Sequence, residues 1–193
     1  MSYLIAAAIV AVIVYFGWKM TSRNAYESAE YTVLEADGSF EVREYPELML
    51  VTTATKFQSQ GNDGSFGRLF RYISGGNDDD RKVAMTTPVF MEPENGETDG
   101  QMGFVIPKKV AAEAIPNPSS EKLQIRKRTG GRFAVLRFAG RMNHEVQTTM
   151  EDKLGKWMDA QGLTGVESVE FAGYDPPWTP GFLRRNEILI RLK

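Results

Sequence analysis

The helix-turn-strand plan of this chain is visible in residues 64–91, GSFGRLFRYISGGNDDDRKVAMTTPVFM. Four apolar residues recur there at helical spacing and give a helix one apolar face. They are Phe66, Leu69, Phe70 and Ile73. Ser65 is placed to cap this helix, because a serine oxygen accepts hydrogen bonds from first-turn amides. Gly75, Gly76 and Asn77 predict its end, since both residue types tolerate left-handed backbone. A returning strand over 82–91 is then predicted, bent at Thr87–Pro88 because proline donates no ladder hydrogen bond.

Size and composition indicate one globular core. The chain has 193 residues, 42% of them hydrophobic and 25% charged, which suffices for one ordinary domain. Its formal net charge of -2 gives no excess of cations for displacing phosphate counterions, so we expect no nucleic-acid partner. The sequence contains no cysteine, which excludes disulfides, thiolate metal sites and cysteine nucleophiles.

The N-terminus carries an uncharged run, Tyr3–Trp18, rich in Ile, Val and Ala. At about 1.5 Å per residue it is close to the lower limit for crossing a bilayer, and aromatic residues stand at both ends. We interpret residues 1–20 as an uncleaved transmembrane anchor and 21–30 as a tether. The alternative, a signal peptide, lacks a basic start and a small-x-small cleavage site. Lys19 and Arg23 follow the run, so the positive-inside tendency predicts a cytoplasmic domain.

The remainder, 31–193, predicts one domain made of two similar halves. Each half contains short strands, a longer strand, one amphipathic helix and a strand running into a proline turn. The second helix is expected from an Asn143 cap to about Gln161. Residues 123–128 and 133–139 are expected to pair across Thr129–Gly131, and 108–121 to be irregular. This order predicts the α+β class, with a curved or barrel-like antiparallel sheet and two packed helices.

Five separated motifs follow one another along the chain, namely Glu41–Tyr45, Tyr72–Asn77, Met85–Val89, Tyr174–Trp178 and Arg184–Glu187. In this order they resemble the motifs of the SOUL heme-binding protein family, and the resemblance covers about Tyr31–Leu192. The resemblance implies a distorted eight-stranded antiparallel β-barrel of two pseudo-symmetric halves, flanked by two α-helices. It also implies binding of heme or another tetrapyrrole, which is non-covalent in a chain without cysteine.

By the same resemblance, the ligand pocket lies along the first helix, with Trp178 and the nearby loop at its rim. The matching helix positions are Phe66, Leu69, Phe70 and Arg71. The apolar members of this set also form the stripe that a helix needs for packing on a sheet, so core packing is the alternative interpretation. We therefore expect Arg68, Arg71 and Tyr72, beside the stripe, to touch a ligand, with the two arginines binding the propionates.

An axial ligand to heme iron is sought among His, Met, Cys and Tyr. His144 is the single histidine and is the candidate metal ligand, although a polar residue at the start of a helix is ordinarily exposed. Met85, Met91 and Met142 are soft candidates that equally suit core filling.

The sequence carries no G-x-S-x-G, H-E-x-x-H, P-loop or Rossmann pattern, so we expect a protein that is not an enzyme. The predicted function is a membrane-anchored carrier, buffer or sensor of tetrapyrroles. Two alternatives stay open. One is binding or hydrolysis of another small hydrophobic molecule, and the other is a peptide-interaction module. The sequence does not identify a protein partner.

Overall fold

The computed structural model describes residues 26–59, 62–94, 99–176 and 179–193. Within them lie three α-helices, which we number α1 (Ser65–Ile73), α2 (Lys108–Glu113) and α3 (His144–Ala160). Short 3₁₀ turns occur at Phe57–Ser59 and Gly181–Leu183. The strands are β1 (Glu27–Ser28), β2 (Thr32–Asp37), β3 (Phe40–Tyr45), β4 (Leu48–Ala54), β5 (Thr86–Thr87), β6 (Val89–Glu92), β7 (Gln101–Val105), β8 (Gln124–Arg128), β9 (Gly131–Ala139), β10 (Gly165–Gly173) and β11 (Arg185–Leu192).

The described strands form one large antiparallel sheet and one small parallel pair. The sheet has nine strands in the order β2-β3-β9-β11-β10-β6-β7-β4-β8, and it curls strongly into a half-barrel. β1 pairs with β5 in a separate two-stranded sheet. The α+β class is therefore confirmed, while the expected closed barrel of eight strands is replaced by an open, curled sheet with β2 and β8 at its edges.

The sheet order reads as two equivalent halves joined at its centre. Apart from the edge strand β2, the order is β3-β9-β11-β10 from one side and β8-β4-β7-β6 from the other. The central neighbours β6 and β10 pair with each other. In each half a helix follows the second strand from the outer side, because α1 follows β4 and α3 follows β9. The repeated element order seen in the sequence thus corresponds to a repeat in the sheet.

The predicted pairing of 123–128 with 133–139 is wrong. β8 pairs with β4, and β9 pairs with β3 and β11. The Thr129–Gly130 connection therefore carries the chain from one half of the sheet to the other. Gly130 permits this passage, because a Cβ there would lie 2.7 Å from the Tyr45 carbonyl oxygen.

The first predicted helix is confirmed as α1. Leu69, Tyr72 and Ile73 are buried against the sheet, packing in a cluster with residues of β4 and β7. Its end is fixed as expected, because Asn77 Nδ2 donates to the Tyr72 carbonyl at 2.9 Å and Gly75 has φ 110°.

The start of α1 differs from the prediction. Ser65 is the first helical residue and makes no capping bond, since its hydroxyl is buried beside Thr55. The carboxylate of Asp63 instead accepts a hydrogen bond from the Ser65 amide at 3.0 Å. Burial alone would raise the pKa of Asp63, but hydrogen bonds from Ser65, Lys56 and Thr55 hold that pKa well below its usual value.

The second predicted helix is confirmed as α3, and Asn143 is its cap. The Asn143 side chain accepts from the Val146 amide at 2.8 Å. Leu154 and Met158 are its buried residues, and the Trp157 ring stacks on Phe40 at 5.1 Å between centroids. The expected irregular stretch 108–121 contains the short helix α2, which buries Val110.

The predicted anchor, residues 1–20, lies outside the described residues. Within the part of the chain that the structure describes, no helix combines the length and apolar composition needed to cross a bilayer. The predicted tether, 21–30, enters that part at Tyr26, and Glu27 and Ser28 within it form β1.

Candidate functional site

A recess of about 310 Å³ opens between α1 and the segment that follows β10. We call it the main lobe. Its lining is almost entirely apolar or aromatic, and it lies over β5 and β6, where the two halves of the sheet meet. The lining residues are Tyr26, Phe66, Phe70, Met85, Thr87, Val89, Gly173, Tyr174, Asp175 and Pro176.

A smaller hollow of about 110 Å³, the side lobe, adjoins it. The two lobes share four lining residues, Phe66, Val89, Gly173 and Asp175, so they are adjacent, and we treat them together as the recess. The side lobe adds three methionines and two polar residues. These are Met91, Met102, Met142, Arg184 and Asn186.

Two phenylalanines from α1 provide an aromatic wall. The Phe66 and Phe70 rings are nearly parallel, with an angle of 12° and centroids 6.2 Å apart. Phe66 is half-buried and packs edge-on to Phe104, whereas Phe70 is 51% exposed. An exposed ring at the mouth and a packed ring behind it offer a surface on which a flat apolar ligand can lie.

The charged groups of the recess, Asp175 and Arg184, lie on one side, in the segments beside β10 and β11. Asp175 accepts a hydrogen bond from the Arg185 amide at 2.6 Å. Arg184 Nε donates to the Thr179 carbonyl at 2.9 Å, and Asn186 Nδ2 donates to the Gly140 carbonyl at 2.7 Å. A ligand therefore meets a carboxylate in both lobes and a guanidinium only in the side lobe.

Behind this wall lies a buried ionic cluster built from β3, β11 and Tyr174. Arg43 donates to both carboxylate oxygens of Glu187, and Tyr174, whose ring lines the main lobe, donates its hydroxyl to Glu187 at 2.8 Å. Burial alone would raise the pKa of Glu187, but the bonds and charges of Arg43 and Arg185 lower it. Burial, together with the negative charge of Glu187, raises the pKa of Tyr174 far above its usual value. Tyr174 is thus a neutral, fixed part of the recess wall.

The cluster contains a second buried carboxylate, that of Glu41. Arg43 Nε donates to Glu41 at 2.6 Å as well as contacting Glu187. Arg185 bonds to Glu187 through Nε at 3.1 Å, so the Arg184–Glu187 motif bridges the last strand to the Asp175 segment. Both carboxylates are committed to ion pairs, which gives them a structural role.

The structure divides the predicted site residues of α1 between recess and core. Phe66 and Phe70 line the recess. Leu69 has no exposed surface and lies in the core, and Tyr72 is buried with its hydroxyl donating to the Pro116 carbonyl at 2.8 Å. The helix turns these two side chains toward the sheet, away from the recess.

The two predicted propionate partners point elsewhere. Arg68 donates to the Ala54 carbonyl at 2.8 Å and to Thr53 Oγ1 at 3.1 Å, along β4. Arg71 is exposed, and its Cγ lies against Gly76, where an added Cβ would be 2.9 Å away. Neither lines the recess.

His144 is exposed at the first residue of α3 and is not among the lining residues. Among the described residues, no group of three or more His, Cys, Asp or Glu side chains is arranged to hold a metal ion. The three candidate methionines all reach the recess, Met85 in the main lobe and Met91 and Met142 in the side lobe. The predicted rim residue, Trp178, lies outside the described residues.

Sequence reasoning missed most of the wall opposite α1. The family motifs include Tyr174, Asp175 and Arg184, but the sequence did not identify these residues individually as lining. Gly173 belongs to none of the motifs. The proline turns of the two halves could have predicted part of this wall. They occupy equivalent places next to the central strands, and residues of both, Thr87 and Pro176, line the main lobe. Tyr26 carried no such signal.

Comparison with known protein families matches residues 26–191 to the SOUL heme-binding protein family. The chain is 28% identical to "Heme-binding protein 1" of Xenopus laevis, over 80% of this chain and 84% of that protein. It is 24% identical to "Heme-binding protein 1" of Mus musculus, over 90% of each. Among solved structures, the fold resembles that of a hydrolase from Listeria innocua, with a TM-score of 0.57 at 11% identity, covering 83% of this chain and 94% of that one. Since the family match spans nearly all described residues, this chain belongs to the SOUL heme-binding protein family.

Proposed function

We propose that this protein binds heme or a related tetrapyrrole, non-covalently, in the recess between α1 and the segment after β10, and that it acts as a carrier, buffer or sensor. The observation that carries the proposal is the aromatic wall of Phe66 and Phe70 in an otherwise apolar recess of a SOUL-family chain. Porphyrin faces are apolar and flat, so their transfer from water to a flat apolar lining is favourable and stabilises the complex.

The size and charge of the recess favour one orientation of the ligand. At about 310 Å³, the main lobe is at the lower end of small-molecule sites, so a macrocycle would enter by one edge and rest its face against Phe70. Propionates would be repelled by Asp175 and attracted by Arg184. We therefore propose Arg184 as the propionate partner in place of Arg68 and Arg71.

Retention of the ligand would rest on apolar and charge contacts. His144 does not line the recess, so the proposed binding does not use it as an iron ligand. Binding without a strong protein-iron bond suits reversible loading, which a carrier, buffer or sensor requires. The methionines of the side lobe would adapt to the ligand edge, since thioether side chains repack easily.

We also propose that the uncharged run at residues 3–18 holds the domain at the cytoplasmic side of a membrane. The support is the sequence alone: the length of the run, its aromatic ends and the basic residues Lys19 and Arg23. Protease protection on sealed vesicles of known orientation tests it. Protection of the domain when the cytoplasmic face is enclosed is expected, and digestion there would contradict the assigned side.

A hemin titration of the full chain in detergent, followed by the Soret band, tests the binding proposal. We expect saturation at one equivalent with a band distinct from that of hemin in the same detergent. Phe70→Ala should weaken binding roughly tenfold, because it removes about 1.5 kcal/mol or more of ring burial. Leu34→Ala is the control, since Leu34 is also an exposed apolar residue, on β2, and does not line the recess. Spectra equal to free hemin would refute the proposal.

A further inference from the structure

The segment between the recess and β11 carries an exposed apolar tip. Phe182 is 77% exposed and Leu183 is 54% exposed, both in the 3₁₀ turn Gly181–Leu183. The next residue is Arg184, which lines the side lobe, so the tip stands directly beside the recess. Two adjacent large apolar residues this far out of the surface lose free energy in water unless something covers them.

The tip is flanked by arginines. Arg184 follows it in the chain, and the Arg141 side chain lies against Gly181, where an added Cβ would be 2.8 Å from Arg141 Cγ. The whole chain has a formal net charge of -2, so this basic flank is a local feature. Apolar side chains surrounded by cations are the combination that binds the interface of anionic membranes.

The chain enters the domain at the same recess. Tyr26, the first described residue, lines the main lobe, and β1 immediately after it pairs with β5. The uncharged run 3–18 ends eight positions before Tyr26. At roughly 3.5 Å per residue, that connection spans at most about 28 Å. If the run lies in a membrane, Tyr26 at the mouth of the recess therefore lies within that distance of it.

We infer that the face bearing the Phe182–Leu183 tip and the mouth of the recess lies against an anionic phospholipid bilayer. The tip inserts at the level of the head groups, and the exposed Arg141 contacts lipid phosphates or carboxylates. This inference concerns the surface, and it rests in part on the membrane anchor proposed above. One consequence, that the recess exchanges its ligand with the lipid phase, rests on the proposed function.

The absence of cysteine makes a direct test available. Phe182→Cys in the full chain gives a single site for an environment-sensitive fluorophore, and Leu34→Cys gives a matched site at another exposed apolar residue, 44% exposed on β2. Both labelled proteins are reconstituted in vesicles of phosphatidylcholine and phosphatidylserine. Quenching is then measured with iodide in the water and with nitroxide-labelled lipid.

We expect the label at 182 to be quenched several-fold more by nitroxide lipid than the label at 34, and to lose iodide quenching when phosphatidylserine is present. Equal iodide quenching at both sites, in chain that co-floats with the vesicles, would overturn the inference. Shielding of position 182 that depends on protein concentration and not on lipid composition would also overturn it, because it would assign the tip to a second copy of the chain. No heme is present in this assay, so its failure is distinct from failure of the hemin titration.

Discussion

Arg43 and Glu187 form a two-pronged ion pair, with Nη1 to Oε2 at 2.8 Å and Nη2 to Oε1 at 3.0 Å, although β9 lies between their strands. Neither side chain has exposed surface. A buried pair of this kind is a weak source of net stability, because both ions lose hydration, but breaking it leaves one charge without compensation. The pair therefore fixes the wall of the recess that Tyr174 forms.

Glu187→Gln should lower the free energy of unfolding by about 3–5 kcal/mol, because Arg43 stays buried with its charge uncompensated. Urea denaturation followed by circular dichroism measures this. The control is Glu113→Gln, which removes the exposed pair with Arg81 and should cost less than about 1 kcal/mol. Equal stabilities for the two variants would contradict the assigned role of Glu187.

Acid should destabilise the protein through the same residue. The pKa of Glu187 is lowered in the folded state, so its contribution is present above the unfolded value of about 4.3 and is lost as pH falls through the folded pKa. The free energy of unfolding of the wild type should fall steeply from about pH 5 downward. In Glu187→Gln the same plot should be flatter. Parallel curves for the two proteins would count against the linkage.

Arg184→Ala should weaken hemin binding roughly tenfold, since a charge-assisted hydrogen bond to a propionate is worth about 1.5–3 kcal/mol. Arg68→Ala is the matched control, because Arg68 is bonded to the Ala54 carbonyl and does not line the recess. Both affinities follow from Soret titration. A larger loss of affinity for Arg68→Ala than for Arg184→Ala would contradict this assignment and indicate that Arg68 binds the propionates.

His144→Ala should leave the spectrum of the hemin complex and its affinity unchanged, because the imidazole is exposed at the first residue of α3 and does not line the recess. Absorption spectra in the ferric and ferrous states provide the measurement. A loss of low-spin bands in the variant would show that His144 binds iron.

The helices were predictable because their signals are local. The periodicity of Leu69 and Ile73 and the Asn143 cap act within a few residues of the chain, and both elements formed as expected. Strand pairing was harder to predict from the sequence. The alternation of apolar and polar residues indicates a strand but does not identify the strand with which it pairs. The short Thr129–Gly130 connection suggested a hairpin, yet it joins the two halves of the sheet.

The sequence predicted which helix borders the site, but it did not predict which side chains of that helix line it. Phe66 and Leu69 belong to one apolar stripe, and only the position of the sheet turns Leu69 into core and Phe66 into recess lining. Arg184 contributes a cation from a segment more than a hundred residues away in sequence. Spacing along one helix contains no information about a side chain that arrives from another part of the chain.

The central claim is that the ligand occupies the recess beside α1, and a blocking substitution tests it most directly. Gly173 lines both lobes, and an added Cβ there meets nothing within 4 Å, so Gly173→Leu places an apolar side chain in the recess. Gly155→Leu on α3 is the matched control, since an added Cβ there also meets nothing within 4 Å. Hemin titration should give wild-type affinity for Gly155→Leu and a loss of roughly tenfold or more for Gly173→Leu. Tight binding by a correctly folded Gly173→Leu protein would contradict the claim.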